Sequence, residues 1–205
     1  MPSVPKLPVT KAMLVSMTRV ASPSEASVRD IFMFILMFLG FLREEEVTNL
    51  ENGDVWIGEL DGVSEEVLFI RVRQSKTDPG RNGATMVLVA CKGSPLCPVA
   101  WFGLYCKVQR SPTHVFHRSD VRAGKLAKST PNSLLKKWLK AIGVDPKPYG
   151  SHSLRRGGAT AAAALAVRLH ILKRHGRWAS DAVYLYIQDP GESRVAVSRA
   201  ILTEG

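Results

Sequence analysis

The sequence predicts a mixed α+β fold that is mostly helical, with a small three-stranded antiparallel sheet packed on a helical core. Three observations predict it: a long apolar run at Ile31–Leu42, short β-branched segments between 54 and 90, and a return to helical periodicity from Pro98 onward. At 205 residues the chain is long enough for one domain with a substantial core.

The N-terminal part predicts two helices. Four prolines punctuate the first 27 residues, and one short helix fits between them at 11–20. We expect residues 1–10 to be a disordered lead and residues 11–205 to form a single domain. Ser22 or Ser24 is placed to cap the apolar helix that follows, which we expect to end near Arg43 before the acidic turn Glu44–Glu46. Its run of 12 residues is well short of the roughly 20 that span a bilayer, so it predicts a core helix.

The middle of the chain predicts the sheet. Its strands are expected at 55–57, 67–73 and 85–89, where β-branched residues alternate with turn residues. The connection at 74–83 holds Asp78-Pro79-Gly80 and Asn82-Gly83, which are strong turn sequences, and Lys76 near its start. Helical periodicity then predicts helices near 98–108, 131–142, 153–165, 168–175 and 179–187.

The net charge and the cysteine content indicate which binding partners and which redox environment to expect. The net charge of +10, from 28 Lys and Arg against 18 acidic residues, favours a polyanion such as nucleic acid. No basic amphipathic helix with an aromatic face and no secretory signal pattern is present in the sequence, so we expect no membrane partner. The three cysteines have no paired metal spacing, and they predict reduced thiols inside a cell rather than a disulfide framework or a zinc site.

One segment is suited to binding phosphate. His152 and Arg155 lie three residues apart where a loop enters a helix of small residues, so both side chains can share the N-terminal end of one helical face. A helix N-terminus presents unpaired N–H groups and a partial positive charge, which favour an anion. The alternative is a capped helix whose arginine makes a surface ion pair.

A second segment makes the pattern recognisable. Gly176-Arg177-Trp178 is followed by Tyr186 eight residues after the tryptophan. With His152 and Arg155, this segment resembles the C-terminal signature of tyrosine recombinases, the phage-integrase superfamily. It looks most like the eukaryotic mobile-element branch.

The resemblance extends upstream, because this family also has an arginine after an apolar helix and a lysine on a β-hairpin. Arg43 in Gly40–Val47 resembles the first, with Glu46 at the family's acidic position, and Lys76 in Gln74–Thr77 resembles the second. Leu96-Cys97-Pro98-Val99 is similar to a segment common in the same branch. The similarity therefore covers nearly the whole chain and implies the catalytic-domain fold of that family.

The resemblance also implies a site. Its catalytic residues would be Arg43, Lys76, His152, Arg155, Trp178 and Tyr186, and its DNA contacts Arg156, His175 and Arg177. Tyr186 would attack a phosphodiester, the arginines and Trp178 would bind its nonbridging oxygens, and Lys76 would protonate the departing 5′ oxygen. No metal and no cofactor is required by this chemistry.

The implied function is DNA strand cleavage and rejoining, in recombination or in integration of a mobile element. The partner would be double-stranded DNA, with self-association on it, inside the cell and in the nucleus of a eukaryotic host. Complete family members carry an N-terminal DNA-clamping domain, which we expect to be absent here. The alternatives are a recombinase-derived protein that only binds DNA and, ranked lower, a type IB topoisomerase.

Several residues keep a second interpretation. Arg43 is also placed to pair with Glu46 or Glu45, Lys76 to be a solvated hairpin lysine, and Trp178 to be a core residue. His175 is either a DNA contact, a second phosphate donor or structural. Tyr184, six residues after Trp178, competes with Tyr186 as the nucleophile. We choose Tyr186, because a spacing of eight is familiar in the eukaryotic branch, and expect Tyr184 to pack.

Overall fold

The predicted architecture is confirmed in the part of the chain that the computed structural model describes, residues 6–73, 83–118 and 124–187 together with 195, 198–199 and 201–202. Strands β1, β2 and β3 form one antiparallel sheet in that order. The helices and strands are α1 Lys11–Val20, α2 Glu25–Leu39, α3 Glu44–Thr48, β1 Val55–Gly58, β2 Val67–Val72, β3 Ala84–Val89, α4 Pro98–Val108, α5 Thr130–Ala141, α6 Ser153–Ala164 and α7 Leu169–Gly176.

Helix α2 is the centre of the core, as its apolar sequence predicts. Ser24 caps it by accepting a hydrogen bond from the Ser27 N–H, and its residues from 28 to 38 are all buried. The helix contacts α1, α4, α5 and α6, so it has no solvent face. Its buried Asp30 is satisfied by Arg29 at 2.7 Å and by the Trp138 indole N–H at 3.0 Å. Across the described ranges, no helix is long and apolar enough to cross a membrane.

The end of α2 differs from the prediction. We expected it near Arg43, but the helix ends at Leu39, and the Gly40 N–H closes it on the Leu36 carbonyl. Phe41 then takes a φ of 50°, a left-handed conformation that L-residues rarely adopt, and it turns the chain away from the helix axis. Because of this turn, Arg43 precedes a separate helix, α3, instead of continuing α2.

Two glycines let α6 approach the end of α2 closely. A Cβ atom added to Gly157 would lie 1.9 Å from the Val9 carbonyl oxygen, and one on Gly158 would lie 1.9 Å from that of Phe38. No side chain fits at either position, so the backbones pack directly. This contact fixes the first turn of α6, which carries Arg155, against the turn at Phe41.

The sheet packs on α4 through β2 and β3. Val55 of β1 pairs with Ile70 of β2, and Ile70 pairs with Met86 of β3. Leu68 and Ile70 are fully buried. Lys76 and the turn predicted at 78–83 fall in the connection between β2 and β3, where 74–82 lie outside the described residues.

Both ends of the domain differ in part from the expectation. We expected residues 1–10 to be disordered, but residues 6–10 are extended against the domain, because the Leu7 N–H binds the Pro148 carbonyl and the Val9 N–H binds that of Ser153. Residues 1–5 lie outside the described part. The helix predicted at 179–187 is a short 3₁₀ turn, Asp181–Leu185. Beyond it, the described tail residues at 195, 198–199 and 201–202 are helical and exposed.

A glycine substitution tests the α2–α6 contact. Gly158→Ala should lower the free energy of unfolding by about 2–3 kcal/mol, because the new methyl group overlaps the Phe38 carbonyl. Gly103→Ala is the matched control, since a Cβ there meets no atom within 4 Å and alanine favours a helix by about 0.5–1 kcal/mol. Urea unfolding measures the free energy of unfolding of both variants. Equal values for the two would contradict the close contact between α2 and α6.

Candidate active site

A cleft of about 500 Å³ lies where the start of α3, the loop before α6 and the segment at 178–186 meet. It brings four of the predicted catalytic residues together, and it also contains residues that the sequence did not single out, Lys128 among them. Lys76 lies outside the described residues. The lining side chains are Arg43, Glu44, Glu45, Lys128, Ser151, His152, Trp178, Ala179, Ser180, Ala182 and Tyr186.

Arg155 lies directly beneath this cleft and is completely buried. Its guanidinium donates to the Phe41 carbonyl and, at 2.5 Å, to the Gly176 carbonyl. The rings of Trp178 and Tyr186 cover it, with centroids 4.2 and 5.3 Å from the guanidinium carbon. Cation–π contact of this kind stabilises a desolvated arginine without neutralising it. The predicted arginine is thus next to the predicted nucleophile, but the aromatic rings separate it from the cleft.

The charge of Arg155 is poorly compensated. Burial, followed by repulsion from Arg43 and Arg177, lowers its pKa to about 9. The guanidinium therefore remains protonated at neutral pH. Among the described residues its Nε has no hydrogen-bond partner. An anion that reached this guanidinium would relieve both the repulsion and the missing hydrogen bond.

A buried carboxylate, Glu46, binds two arginines at once. It accepts from the Arg43 guanidinium at 2.6 Å and from the Arg177 guanidinium at 2.7 Å. Burial raises the pKa of Glu46, but Arg177 and Arg43 lower it by more, so the net shift is downward and the carboxylate is ionised. The predicted pairing of Arg43 with Glu46 is therefore present, and it coexists with a place for Arg43 on the wall of the cleft.

Arg177, predicted to contact DNA, is turned into the protein. It ends α7 in a left-handed conformation, with φ 56°, and its side chain is only 9 % exposed. The guanidinium donates to the carbonyls of Gly40 and Phe41 as well as to Glu46. These carbonyls belong to the end of α2, where no helical N–H group follows to bind them. Arg177 supplies those donors.

His175 and Arg156, also predicted as DNA contacts, bind backbone carbonyls too. The Nε2 atom of His175 lies 2.7 Å from the Leu39 carbonyl oxygen, which can only accept, so Nε2 carries the proton. Burial lowers the pKa of His175, which keeps the ring neutral at pH 7. Arg156 donates to the carbonyl of Lys6 at 2.6 Å and to that of Leu185. The side chains of Arg156, His175 and Arg177 thus hold segments of the site together by hydrogen bonds to backbone carbonyls.

Trp178 supplies a donor without a partner. The residue is only 7 % exposed, and within the described ranges its indole N–H makes no hydrogen bond. Gly176 leaves room for it, because a Cβ atom there would lie 1.8 Å from the indole ring. A buried indole N–H normally finds an acceptor, so its position beside the cleft is suited to an oxygen of a bound ligand.

The two candidate tyrosines occupy different environments. The Tyr186 hydroxyl lies in the cleft, 3.4 Å from Nδ1 of His152. Tyr184 is 59 % exposed and is not part of the cleft wall, so the expectation that it packs was wrong. The 3₁₀ turn explains this difference, because its three-residue period points Val183 inward and Tyr184 outward.

Comparisons with known proteins give the class of fold. No family model matches the sequence, and no curated protein is significantly similar to it. Solved structures do match: XerH recombinase in a post-cleavage complex with difH DNA (TM-score 0.71, 16% identity, 98% of this chain and 55% of that chain) and XerA recombinase (0.69, 14%, 98% and 68%). A lambda integrase dimer bound to a COC′ core site also matches (0.64, 16%, 93% and 50%).

These matches show that the chain has the fold of the catalytic domain of tyrosine recombinases. It spans about half the length of the XerH and lambda integrase chains. At 14–16% identity the similarity does not distinguish a branch, so the eukaryotic mobile-element branch stays a prediction. Within the described ranges, no three His, Cys, Asp or Glu side chains form a group that could hold a metal ion.

Removing the Glu46 charge tests the role of this carboxylate. Glu46→Gln should lower the free energy of unfolding by about 3 kcal/mol, because two largely buried arginines lose their counter-charge. Glu45→Gln is the control, since its ion pair with Lys128 is exposed and should change stability by at most about 1 kcal/mol. Urea unfolding at pH 7 measures both, and similar losses for the two variants would contradict the proposed role.

The neutral state of His175 has a pH signature. Its pKa is lower in the folded protein than the ordinary 6.5, so the unfolded chain binds the proton more readily, and stability is lost as the pH falls below about 6.5. His175→Gln keeps a donor for the Leu39 carbonyl but cannot titrate. The stability difference between the wild type and the variant should therefore shrink from pH 7.5 to pH 5.5 in urea unfolding. A difference independent of pH would show that His175 is not held neutral.

Proposed function

We propose that this protein is a tyrosine recombinase that cleaves and rejoins DNA strands through a 3′-phosphotyrosine intermediate on Tyr186, in site-specific recombination or integration. The observation that carries the proposal is the position of the Tyr186 hydroxyl, in a cleft with Arg43 on its wall and Arg155 beneath it. The fold supports it, since XerH, a protein of the same fold, has been captured in a post-cleavage complex with DNA.

Cleavage needs the phenolic proton to be removed. A phenol with a pKa of about 10 requires roughly 4 kcal/mol to ionise at pH 7. His152 is within reach of the hydroxyl and can take this proton, while the nearby arginines stabilise the phenolate. His152 as the base, together with the two arginines, can supply most of the free energy needed to ionise the phenol.

The reaction then balances as a transesterification. The Tyr186 oxygen bonds to phosphorus as the bond from phosphorus to the 5′ oxygen breaks, and the departing oxygen takes a proton. The resemblance assigns this proton to Lys76, outside the described residues. Rejoining is the reverse, with a 5′ hydroxyl attacking the phosphotyrosine, so the energy of the phosphodiester is kept and no cofactor is needed.

The transition state places extra negative charge on the nonbridging oxygens. Arg43 and Arg155 are suited to binding them in pairs, and the indole N–H of Trp178 provides one more donor. Because the rings of Tyr186 and Trp178 cover Arg155, a phosphate reaches this guanidinium only when the Tyr186 ring rotates away from it. The described conformation is then a resting state in which the nucleophile shields the arginine.

A second candidate function is DNA binding without cleavage. The burial of Arg155 favours it, because a closed cleft in a basic protein would still bind the backbone of DNA through exposed charges. In both cases the partner is duplex DNA inside a cell, in the nucleus for a eukaryotic host. Self-association on the DNA belongs to the first proposal, since strand exchange joins two sites.

Covalent trapping distinguishes the two functions. We expect the wild type to form a covalent adduct with some members of a pool of nicked duplexes of randomised sequence, seen as a shifted band on a denaturing gel. Tyr186→Phe should abolish this band and leave DNA binding unchanged within about twofold, because it removes only the nucleophilic oxygen. Tyr184→Phe is the matched control, and it should keep the band.

Two outcomes would contradict the proposal. A band lost with Tyr184→Phe and kept with Tyr186→Phe would overturn the choice of nucleophile. A wild type that binds the pool with salt-dependent affinity yet forms no adduct would favour the binding-only function.

A further inference from the structure

The segment that carries Tyr186 packs on the domain with only some of its side chains, among them Val183, Tyr186 and Ile187. Of its 3₁₀ turn, Val183 is fully buried, whereas Tyr184 and Leu185 are 59 % and 69 % exposed. A five-residue turn also has few internal hydrogen bonds, and its last carbonyls point beyond the turn. Hydrogen bonds to the last carbonyls of the turn therefore add to this packing in setting where the backbone of Tyr186 lies.

Two side chains of α6 make those contacts. Arg156 donates to the carbonyl of Leu185, and the Thr160 hydroxyl donates to the carbonyl of Tyr186 at 3.1 Å. The two residues are four apart, so they lie on one face of α6 and meet consecutive carbonyls. The backbone on both sides of the Tyr186 peptide is thereby attached to this helix.

The Arg156 guanidinium is itself fixed in place. Its other terminal nitrogen donates to the carbonyl of Lys6 at 2.6 Å, in the extended segment that packs beside α6. A planar guanidinium held at both ends has little rotational freedom, whereas a lysine ammonium at the same place would satisfy only one carbonyl at a time. Arg156 therefore acts as a rigid link between residue 6 and residue 185.

We propose that Arg156 and Thr160 are positioning residues for the nucleophile, an inference that rests on the proposed role of Tyr186. His152 is the N-cap residue of helix α6 and Arg155 lies in its first turn, so attaching the Tyr186 backbone to this helix fixes the nucleophile relative to both groups. The Tyr186 ring then leaves Arg155 by side-chain rotation alone, while its backbone stays in place. Arg156 would act through Tyr186, without the contact to DNA that the sequence suggested.

The first test separates cleavage from binding. Arg156→Ala should slow single-turnover adduct formation on saturating nicked duplex by about 10- to 100-fold, because a shift of about 1 Å in a reacting group costs on that order. Its affinity for the duplex should change no more than that of Arg110→Ala, which removes an exposed arginine after α4. Arg156→Lys should recover only part of the rate, since it reaches one carbonyl.

Thr160 offers an isosteric comparison. Thr160→Val removes the hydroxyl at nearly constant shape and should slow adduct formation several-fold, while Thr160→Ser should restore the rate. Equal rates for valine, serine and threonine would remove Thr160 from the proposal. An Arg156→Ala rate equal to that of Arg110→Ala would overturn the role of Arg156.

A second readout does not depend on cleavage. The chain has four tyrosines, so protein labelled with 3-fluorotyrosine gives four ¹⁹F resonances, and the one missing in Tyr186→Phe belongs to Tyr186. In Arg156→Ala we expect that resonance to shift and broaden while those of Tyr105 and Tyr149, which lie outside the turn, stay in place. An unchanged Tyr186 resonance would contradict the positioning role. If the wild type forms no adduct but Arg156→Ala shows the expected shift of the Tyr186 resonance, the proposed function fails and the positioning role stands.

Discussion

The site depends on one buried carboxylate, Glu46, which joins the ends of three helices. Through Arg43 it holds the start of α3, and through Arg177 it holds the end of α7 and the unpaired carbonyls after α2. Arg155 lies near the same carboxylate, so three guanidinium groups share one buried counter-charge. Burial first, and then repulsion between the arginines, lowers the pKa values of Arg155 and Arg177. A phosphodiester anion is the complement that such a site lacks.

The aromatic rings that cover Arg155 stabilise its charge, and one of them must move before an anion can reach the guanidinium. Trp178 and Tyr186 stabilise a charge that has no carboxylate of its own, and they do so with the face of a ring that can turn aside. Gly176 gives Trp178 its place, and the α2–α6 glycine contact gives Arg155 its place. The backbone around Arg155 is therefore tightly packed, whereas the Tyr186 side chain that covers it must move. Binding of an anion to the Arg155 guanidinium supplies the free energy needed to uncover it.

Local pattern predicted most of the elements, but it did not reveal the contacts that charged residues make within the protein. Helices α1 and α4 begin and end where periodicity, prolines and turn residues predict, because those signals are local. The carbonyl contacts of Arg156, His175 and Arg177 were not predicted, since the sequence reveals a basic residue but not which carbonyl lacks a donor. Their contacts with DNA stay predictions. The early end of α2 created such carbonyls, and it depends on the left-handed Phe41, which no apolar periodicity reveals. Lys76 stays a prediction.

The central claim is that a phosphodiester binds between Arg43, Arg155 and Trp178 with the Tyr186 oxygen in line behind it. A crystal structure of the protein with a nicked duplex and orthovanadate at the nick tests it most directly, because vanadate adopts the geometry of the transition state. We expect both guanidinium groups and the Trp178 indole N–H within hydrogen-bond distance of the vanadate oxygens, and the Tyr186 oxygen bonded to vanadium. Vanadate held elsewhere, with the rings still covering Arg155, would contradict the account.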